Sequence, residues 1–282
     1  MIKKLLATTA LALTCVLSVA AAQDTAVTPA PDRLNDMASL QNGAKLFVNY
    51  CLSCHSADSM RYNKLTDIGL TEEEIENNLL FTTDKVGELM HIAMTREDAA
   101  NWFGAAPPDL SVIARARSET MGASGVDYVY SFLRSFYRDA TKPTGWDNLV
   151  FPSVGMPHVL WDLQGERTLD RTTIKEEDQA DGSKEWVRTD ASYDTQGFSE
   201  IKTDVLKDYQ GDPVDQYKFT ALESGQASAF DSDVADLANF LGWMAEPGQL
   251  FRKKLGIWVL FFLGIFLLVA WRLNAAYWKD VK

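Results

Sequence analysis

The chain has 282 residues, 46% of them hydrophobic and 23% charged, a composition that excludes a disordered polypeptide and leaves room for one substantial globular domain with appendages. Its net charge is −12, with 39 acidic residues against 27 basic ones, which disfavours nucleic acid as a partner and favours a basic protein.

The first 22 residues have the three parts of a cleaved secretory signal: Lys3 and Lys4, an apolar run from Leu5 to Val19, and the small-residue site Ala20-Ala21-Ala22. As a bilayer span the stretch is short, and it ends in small residues followed by Gln23 and Asp24. Its removal leaves 25 basic residues against 39 acidic ones, a net charge of −14. Residues 23–40, with Pro29 and Pro31, read as a flexible lead-in. Asn42 to Tyr50 has a helical pattern with Leu46, Phe47 and Tyr50 on one face, and Gly43 would admit close approach by another helix.

Cys15 leaves with the signal, so the mature chain keeps Cys51 and Cys54, in Cys51-Leu52-Ser53-Cys54-His55. A disulfide is the plain reading of two cysteines in an oxidising compartment, but the histidine directly after the second points elsewhere. Two thiols three residues apart can add to the two vinyl groups of one porphyrin as thioethers. The next residue then brings its imidazole to the iron as proximal ligand. Zinc is disfavoured because no second Cys or His pair stands at ligand spacing. The expected cofactor is one covalent haem c.

A one-electron carrier gains from a second fixed ligand, and a thioether favours iron(II) and raises the potential. Donors outside the signal are Met37, Met60, Met90, Met94, Met121, Met156 and Met244, with His91 and His158. Met156 stands in Phe151-Pro152-Ser153-Val154-Gly155-Met156-Pro157, a Pro/Gly-bracketed loop far enough along the chain to return over the other haem face. A lone methionine is more often core filling. His158 competes locally, with a surface or propionate-side position as its other readings, while His91 falls in a helical-looking stretch from Glu88 to Met94. The residues alone leave the sixth ligand open.

Further along, Glu72-Glu73-Glu74-Ile75-Glu76 is an acidic run. Trp102 to Ser111 reads as a loop whose Pro107 and Pro108 can present a flat apolar wall to a porphyrin edge. Helices are expected from Ser111 through Arg117 and from Val126 to Arg138, the latter with Val126, Val129, Leu133 and Phe136 along one side. Arg115 and Arg117 are solvated charges unless one meets a haem propionate. From Gln164 to about Gly225 the chain turns polar and acidic, with Glu176-Glu177-Asp178 and Asp181, and only Thr172–Ile174 and Trp186–Thr189 look strand-like. It reads as an insertion, not a second core. Asp231-Ser232-Asp233 can cap a helix whose Val234, Leu237, Leu241 and Met244 bury one face, ending at Glu246-Pro247-Gly248.

The run from Leu255 to Trp271 carries no charge and is 17 residues long, the lower limit for a helical bilayer span. Trp258, Trp271, Tyr277 and Trp278 suit headgroup level, and Arg252, Lys253, Lys254, Arg272 and Lys279 can snorkel to phosphates. An anchor over 251–273 is expected, with the bulk of the chain exported and residues 274–282 left inside.

With these residues in place, the chain resembles the cytochrome c1 family, the haem subunits of the quinol–cytochrome c reductase (bc1 complex) of proteobacteria and mitochondria. The resemblance rests on the attachment pentad followed by Met60-Arg61-Tyr62 and on Pro107-Pro108-Asp109-Leu110-Ser111 with Arg115-Ala116-Arg117. It continues through Asp127-Tyr128-Val129 and Gly155-Met156-Pro157 to Phe240-Leu241-Gly242-Trp243-Met244-Ala245-Glu246-Pro247, running into the anchor. It implies a mainly α class I cytochrome c domain over 41–250, with a polar, partly β or irregular insertion and one C-terminal transmembrane helix.

The resemblance also implies His55 and Met156 as axial ligands, Arg117 and Tyr128 at a propionate, and Pro107 and Pro108 at the exposed haem edge, with no catalytic residue in the chain itself. Implied partners are cytochrome b, a Rieske iron–sulfur protein as electron donor and a soluble or membrane-tethered c-type cytochrome as acceptor, in a dimeric complex of respiratory or photosynthetic electron transport. The implied location is the bacterial inner membrane, haem domain in the periplasm and C-terminus in the cytoplasm. Acidic patches at Glu72–Glu76 and Glu176–Asp181 suit a basic acceptor. An electron-entry cytochrome of a terminal oxidase or nitric oxide reductase would share the pentad, signal and anchor, and a sensor or enzyme would keep the sixth iron position open.

Overall fold

The computed structural model describes residues 27–120, 122–178 and 183–279; the signal segment, Met121 and Asp181 lie outside them. In chain order, helix α1 (Met37–Leu46) runs into a π-helical turn (Phe47–Cys51), followed by β1 (Ala57–Arg61) and a 3-10 helix (Tyr62–Ile68). Next come α2 (Glu72–Asn78), β2 (Leu89–Met90), α3 (Arg96–Phe103), α4 (Ile113–Ala116) and α5 (Gly125–Arg134). Strands β3 (Phe136–Arg138) and β4 (Trp146–Asn148) precede α6 (Trp161–Gln164) and four strands: β5 (Arg167–Asp178), β6 (Lys184–Tyr193), β7 (Ser199–Leu206) and β8 (Val214–Ala221). Helices α7 (Ser224–Ala245) and α8 (Gln249–Tyr277) close the chain. The described residues form two compact units, 31–116 with 233–279 and 27–30 with 117–232.

In the first unit, α1 starts where the Asp36 carboxylate accepts from the N–H groups of Ala38 and Ser39 at 3.0 and 3.2 Å, filling two of the helix's orphan donors. Its apolar face, Leu40 and Ala44, is buried together with Phe47 of the π-helical turn, as are Val234, Leu237, Phe240, Leu241 and Met244 of α7. Gly43 lets the two helices touch: a Cβ there would strike the Asp236 carbonyl oxygen and stand 2.5 Å from Phe240 Cβ. The segment expected as a flexible lead-in is tied down. Asn239 accepts from the Arg33 N–H at 2.9 Å and donates to the Pro31 carbonyl at 2.8 Å, and Asp236 binds Arg33, Ser39 and Asn42. Polar side chains on α7 thus replace the backbone partners that irregular chain lacks. Helix α8 has 29 residues, about 44 Å at the helical rise, and contains an 18-residue stretch of mean hydropathy 2.2, none of it buried. It is long and apolar enough to cross a bilayer.

In the second unit, residues 27–30 are likewise bound: Thr28 N–H donates to Ser131 Oγ at 2.8 Å, and Ala30 N–H to Asp127 Oδ1 at 2.7 Å. Helix α5 opens on a reciprocal cap between Ser124 and Asp127 and stops at Arg134, short of the expected Arg138. Phe136 to Arg138 instead pair antiparallel with Trp146 to Asn148. The insertion is an ordered antiparallel sheet in the order β7-β6-β5-β8, where only two short strands were expected. Leu169, Tyr193, Tyr217 and Phe219 on one of its faces pack on Tyr137 and Leu149. Helix α7 begins at Ser224, not at the expected Asp231 cap. The Asp231 carboxylate is taken by Arg134, whose Nε and Nη2 each donate at 2.6 Å.

Candidate haem site

The attachment motif grows out of α1. The π-helical turn Phe47–Cys51, closed by Leu52 N–H to Phe47 O at 3.0 Å, is the kind of locally widened, underwound turn that recurs at functional sites. The Cys51 carbonyl then accepts from the N–H groups of Cys54 at 3.1 Å and His55 at 2.9 Å, so both thiols and the imidazole stand on one tight turn. No disulfide joins the two cysteines; Cys51 is buried and Cys54 half-buried. Burial, with Cys54 adding to it, pushes the Cys51 thiol up to about 12, so its sulfur sits neutral in apolar surroundings, as a thioether sulfur would.

His55 Nδ1 lies 2.7 Å from the carbonyl of Pro108. A carbonyl can only accept, so Nδ1 carries the hydrogen and the lone pair is left on Nε2, the tautomer that a metal ligand needs. Burial holds the imidazole below its ordinary value, against the opposing pull of the Pro108 bond and the Asp109 charge. Pro108 is fixed in turn. Leu110 N–H donates to Ser56 O at 2.9 Å, Asp109 accepts from Asp58 N–H at 2.7 Å, and Ser111 Oγ accepts from Ser59 N–H at 2.9 Å. Segment 107–111 is therefore zipped along residues 55–59, and Pro108 contributes a carbonyl as well as an apolar ring. These residues fit a covalently bound haem c on an observation of their own, the orientation of His55.

Met156, Arg117 and Tyr128 belong to the other unit. Met156 is half-buried against the cluster of Phe136, Trp146 and Val154, on which Phe132 also packs. Its loop is held by two side chains that sequence reasoning passed over. Asp147 Oδ1 accepts from Ser153 N–H at 2.6 Å, which fixes Ser153 at φ 60°, and Asn148 Oδ1 accepts from the N–H groups of Val150 and Phe151 at 2.9 and 3.0 Å. Asn148 also donates to Phe132 O at 2.7 Å, and Lys142 pairs with Asp147 at 3.0 Å. The only sequence signal for them is two adjacent residues that readily form side-chain turns, Asp147-Asn148, shortly before Pro152. The Arg117 guanidinium lies 5.1 Å from the Tyr128 ring centre, a cation–π pair.

The other candidate donors fall elsewhere. Met60, Met90 and Met244 fill core, Met37 is exposed and Met94 half-buried. His91 lies in no helix; it follows β2 and meets Asp58 at 2.7 Å on the surface. His158 is a core residue, 2% exposed, stacked on Phe136 at 4.7 Å with Trp146 and Phe230 at its edges. Burial first and the Arg167 charge second push its imidazole down to about 3, so the ring is neutral. Neither nitrogen finds a bonding partner among the described residues, although the Gln164 amide stands beside it.

A mainly helical domain whose two thiols and oriented imidazole share one turn is that of a c-type cytochrome. The sequence model of the Cytochrome C1 family matches residues 31–187 and 214–281. Cytochrome c1 of Allochromatium vinosum is 41% identical over 88% of this chain and 86% of its own length. A Nitrosomonas europaea protein described as ammonia monooxygenase gamma subunit is 38% identical over 92% of this chain and 90% of its own length. Cytochrome c1 of Rhodospirillum rubrum is 28% identical over 88% and 83%. The chain belongs to the cytochrome c1 family, haem-bearing electron carriers of the bc1 complex, each with one covalently bound haem c.

Proposed function

We propose that this chain takes single electrons from a Rieske iron–sulfur protein beside cytochrome b and delivers them to a soluble or tethered c-type cytochrome of basic surface, within a dimeric quinol–cytochrome c reductase. Cys51 and Cys54 hold the haem as thioethers. His55, turned by Pro108, offers Nε2 to the iron, and the loop clamped by Asp147 and Asn148 offers the Met156 sulfur. Arg117 and Tyr128 suit a propionate, and Pro107 and Pro108 shield the haem edge. Bound there, haem c supplies a one-electron iron(III)/iron(II) couple. Helix α8 anchors the chain in the bacterial inner membrane, with the haem domain in the periplasm and the C-terminus in the cytoplasm.

The observation that carries this reading is the Pro108 carbonyl fixing the His55 tautomer. Met156→Leu tests it. Expected are a retained covalent haem, loss of the absorption band of a thioether on ferric iron, a lower potential, and carbon monoxide binding in the reduced state. A spectrum and potential equal to wild type remove Met156 from the iron. Purifying the tagged chain in mild detergent should bring cytochrome b and a Rieske protein with it; a copper or non-haem iron subunit in their place would overturn the assembly.

A further inference from the structure

Strand β7 is one margin of its sheet, bonded to β6 alone in an unbroken register from Tyr193↔Ser199 to Trp186↔Leu206. It carries no proline and is exposed along almost its whole length, Ile201 at 56% and Val205 at 50%. Its outer row of N–H and C=O groups is therefore a regular template for another strand. Alternation puts Ile201, Thr203 and Val205 on one face of the sheet and Glu200, Lys202, Asp204 and Leu206 on the other.

We propose that this margin is an interface for a second copy of the chain, the two β7 strands lying antiparallel about Thr203. In that register Ile201 faces Val205 of the second copy on one side of the sheet, and Lys202 faces Asp204 on the other, each pair occurring twice. Opposite charges and apolar pairs directly across a ladder are favourable, and like charges are not. Centring on Lys202 would set Lys202 against itself and Glu200 against Asp204. Centring on Asp204 would set the two Asp204 carboxylates face to face. A one-residue slip would bring Ile201 opposite Asp204. A lysine on an edge strand ordinarily keeps strands apart; here the same strand supplies counter-charges two residues away on either side, Glu200, which meets Lys202 at 2.9 Å, and Asp204. The family model runs through 31–187 and 214–281, so β7 and most of β6 lie in a segment the common sequence leaves out. The partner is accordingly sought in this chain itself, not among the subunits the family shares.

The test uses the full-length chain in its native membrane, with Thr203→Cys, a short bifunctional thiol reagent and detection by haem stain, which also certifies folding. Expected is a band at twice the chain's mass, absent when Lys218→Cys on β8, the opposite margin, is treated alike. Lys202→Asp or Asp204→Lys in the Thr203→Cys background lowers the yield about fivefold, and the two together restore it. A haem-bearing Thr203→Cys chain that stays monomeric while reacting fully with a monofunctional maleimide overturns the proposal. So does cross-linking to a different polypeptide, or a double exchange that fails to restore the yield.

Discussion

At the scale of single residues, His158 shows how far a side chain's role depends on what encloses it. A histidine two positions beyond a ligand candidate invites a metal-binding reading, yet its ring is stacked on Phe136 and walled by Trp146 and Phe230. An unsatisfied buried polar group costs about 1–3 kcal/mol, whereas an apolar group of the same shape costs nothing in desolvation. His158→Phe keeps the aromatic stack and removes both nitrogens, so the holo-chain's stability should hold or rise by about 1 kcal/mol. Denaturant unfolding followed by tryptophan fluorescence measures it. A loss beyond about 2 kcal/mol would mean that an imidazole nitrogen is bonded after all.

At the scale of elements, the contact between α1 and α7 turns on the missing side chain of Gly43. Gly43→Ala drives a methyl into the Asp236 carbonyl and Phe240, neither at the free end of a flexible chain, so about 1–3 kcal/mol of stability should be lost. Thermal unfolding reads this, and an unchanged midpoint would mean that the helices are free to separate. Helix α2 has a pH-dependent start. The N–H and hydroxyl of Thr71 each donate to Glu74 at 2.8 Å and hold its carboxyl below the usual carboxylate range. A value lower in the folded than in the unfolded chain makes the stabilisation complete above the ordinary carboxylate range and lost as pH falls through Glu74's depressed value. The protection of the Glu74 amide, its exchange rate taken relative to the intrinsic rate at each pH, should therefore fall on acidification in wild type and change less with pH in Thr71→Ala. The helix contact was legible in sequence because an apolar stripe and one glycine declare it. The attachment pentad was legible because its chemistry is tied to a short spacing. The insertion was not: β5, with polar and charged residues on both faces, lacks a clean apolar alternation, and its pairing depends on strands far away in sequence. The end of α5 was missed because Phe136 continues the helical stripe while belonging to β3. The Pro108 carbonyl that orients His55 could not be read, since a backbone group carries no residue signature.

At the scale of the whole molecule, the net charge of −12 sets a field that a basic acceptor would feel, but the two acidic runs do not contribute alike. On β5, Glu176 meets Lys184 at 3.8 Å and Glu177 meets Lys175 at 3.1 Å, so that run is largely compensated locally. On α2, Glu72, Glu73 and Glu76 have no ion pair among the described residues, and Glu72 and Glu73 lie in the helix's first turn, where the helix dipole favours them. Their charge is unspent and projects into solvent, where it acts over a Debye length of about 8–10 Å at physiological ionic strength. Reversing Glu72, Glu73 and Glu76 to Lys, and leaving Glu74 to cap the helix, should slow reduction of a basic cytochrome c at low salt by about tenfold and flatten the dependence on ionic strength. The same change at Glu176 and Glu177 should alter the rate far less, because those carboxylates already meet Lys184 and Lys175 and offer a basic acceptor little free charge to lose. Stopped-flow traces across a salt series separate the two. Equal effects at both runs would show that docking senses only total charge, and no effect at α2 would place the acceptor on another face.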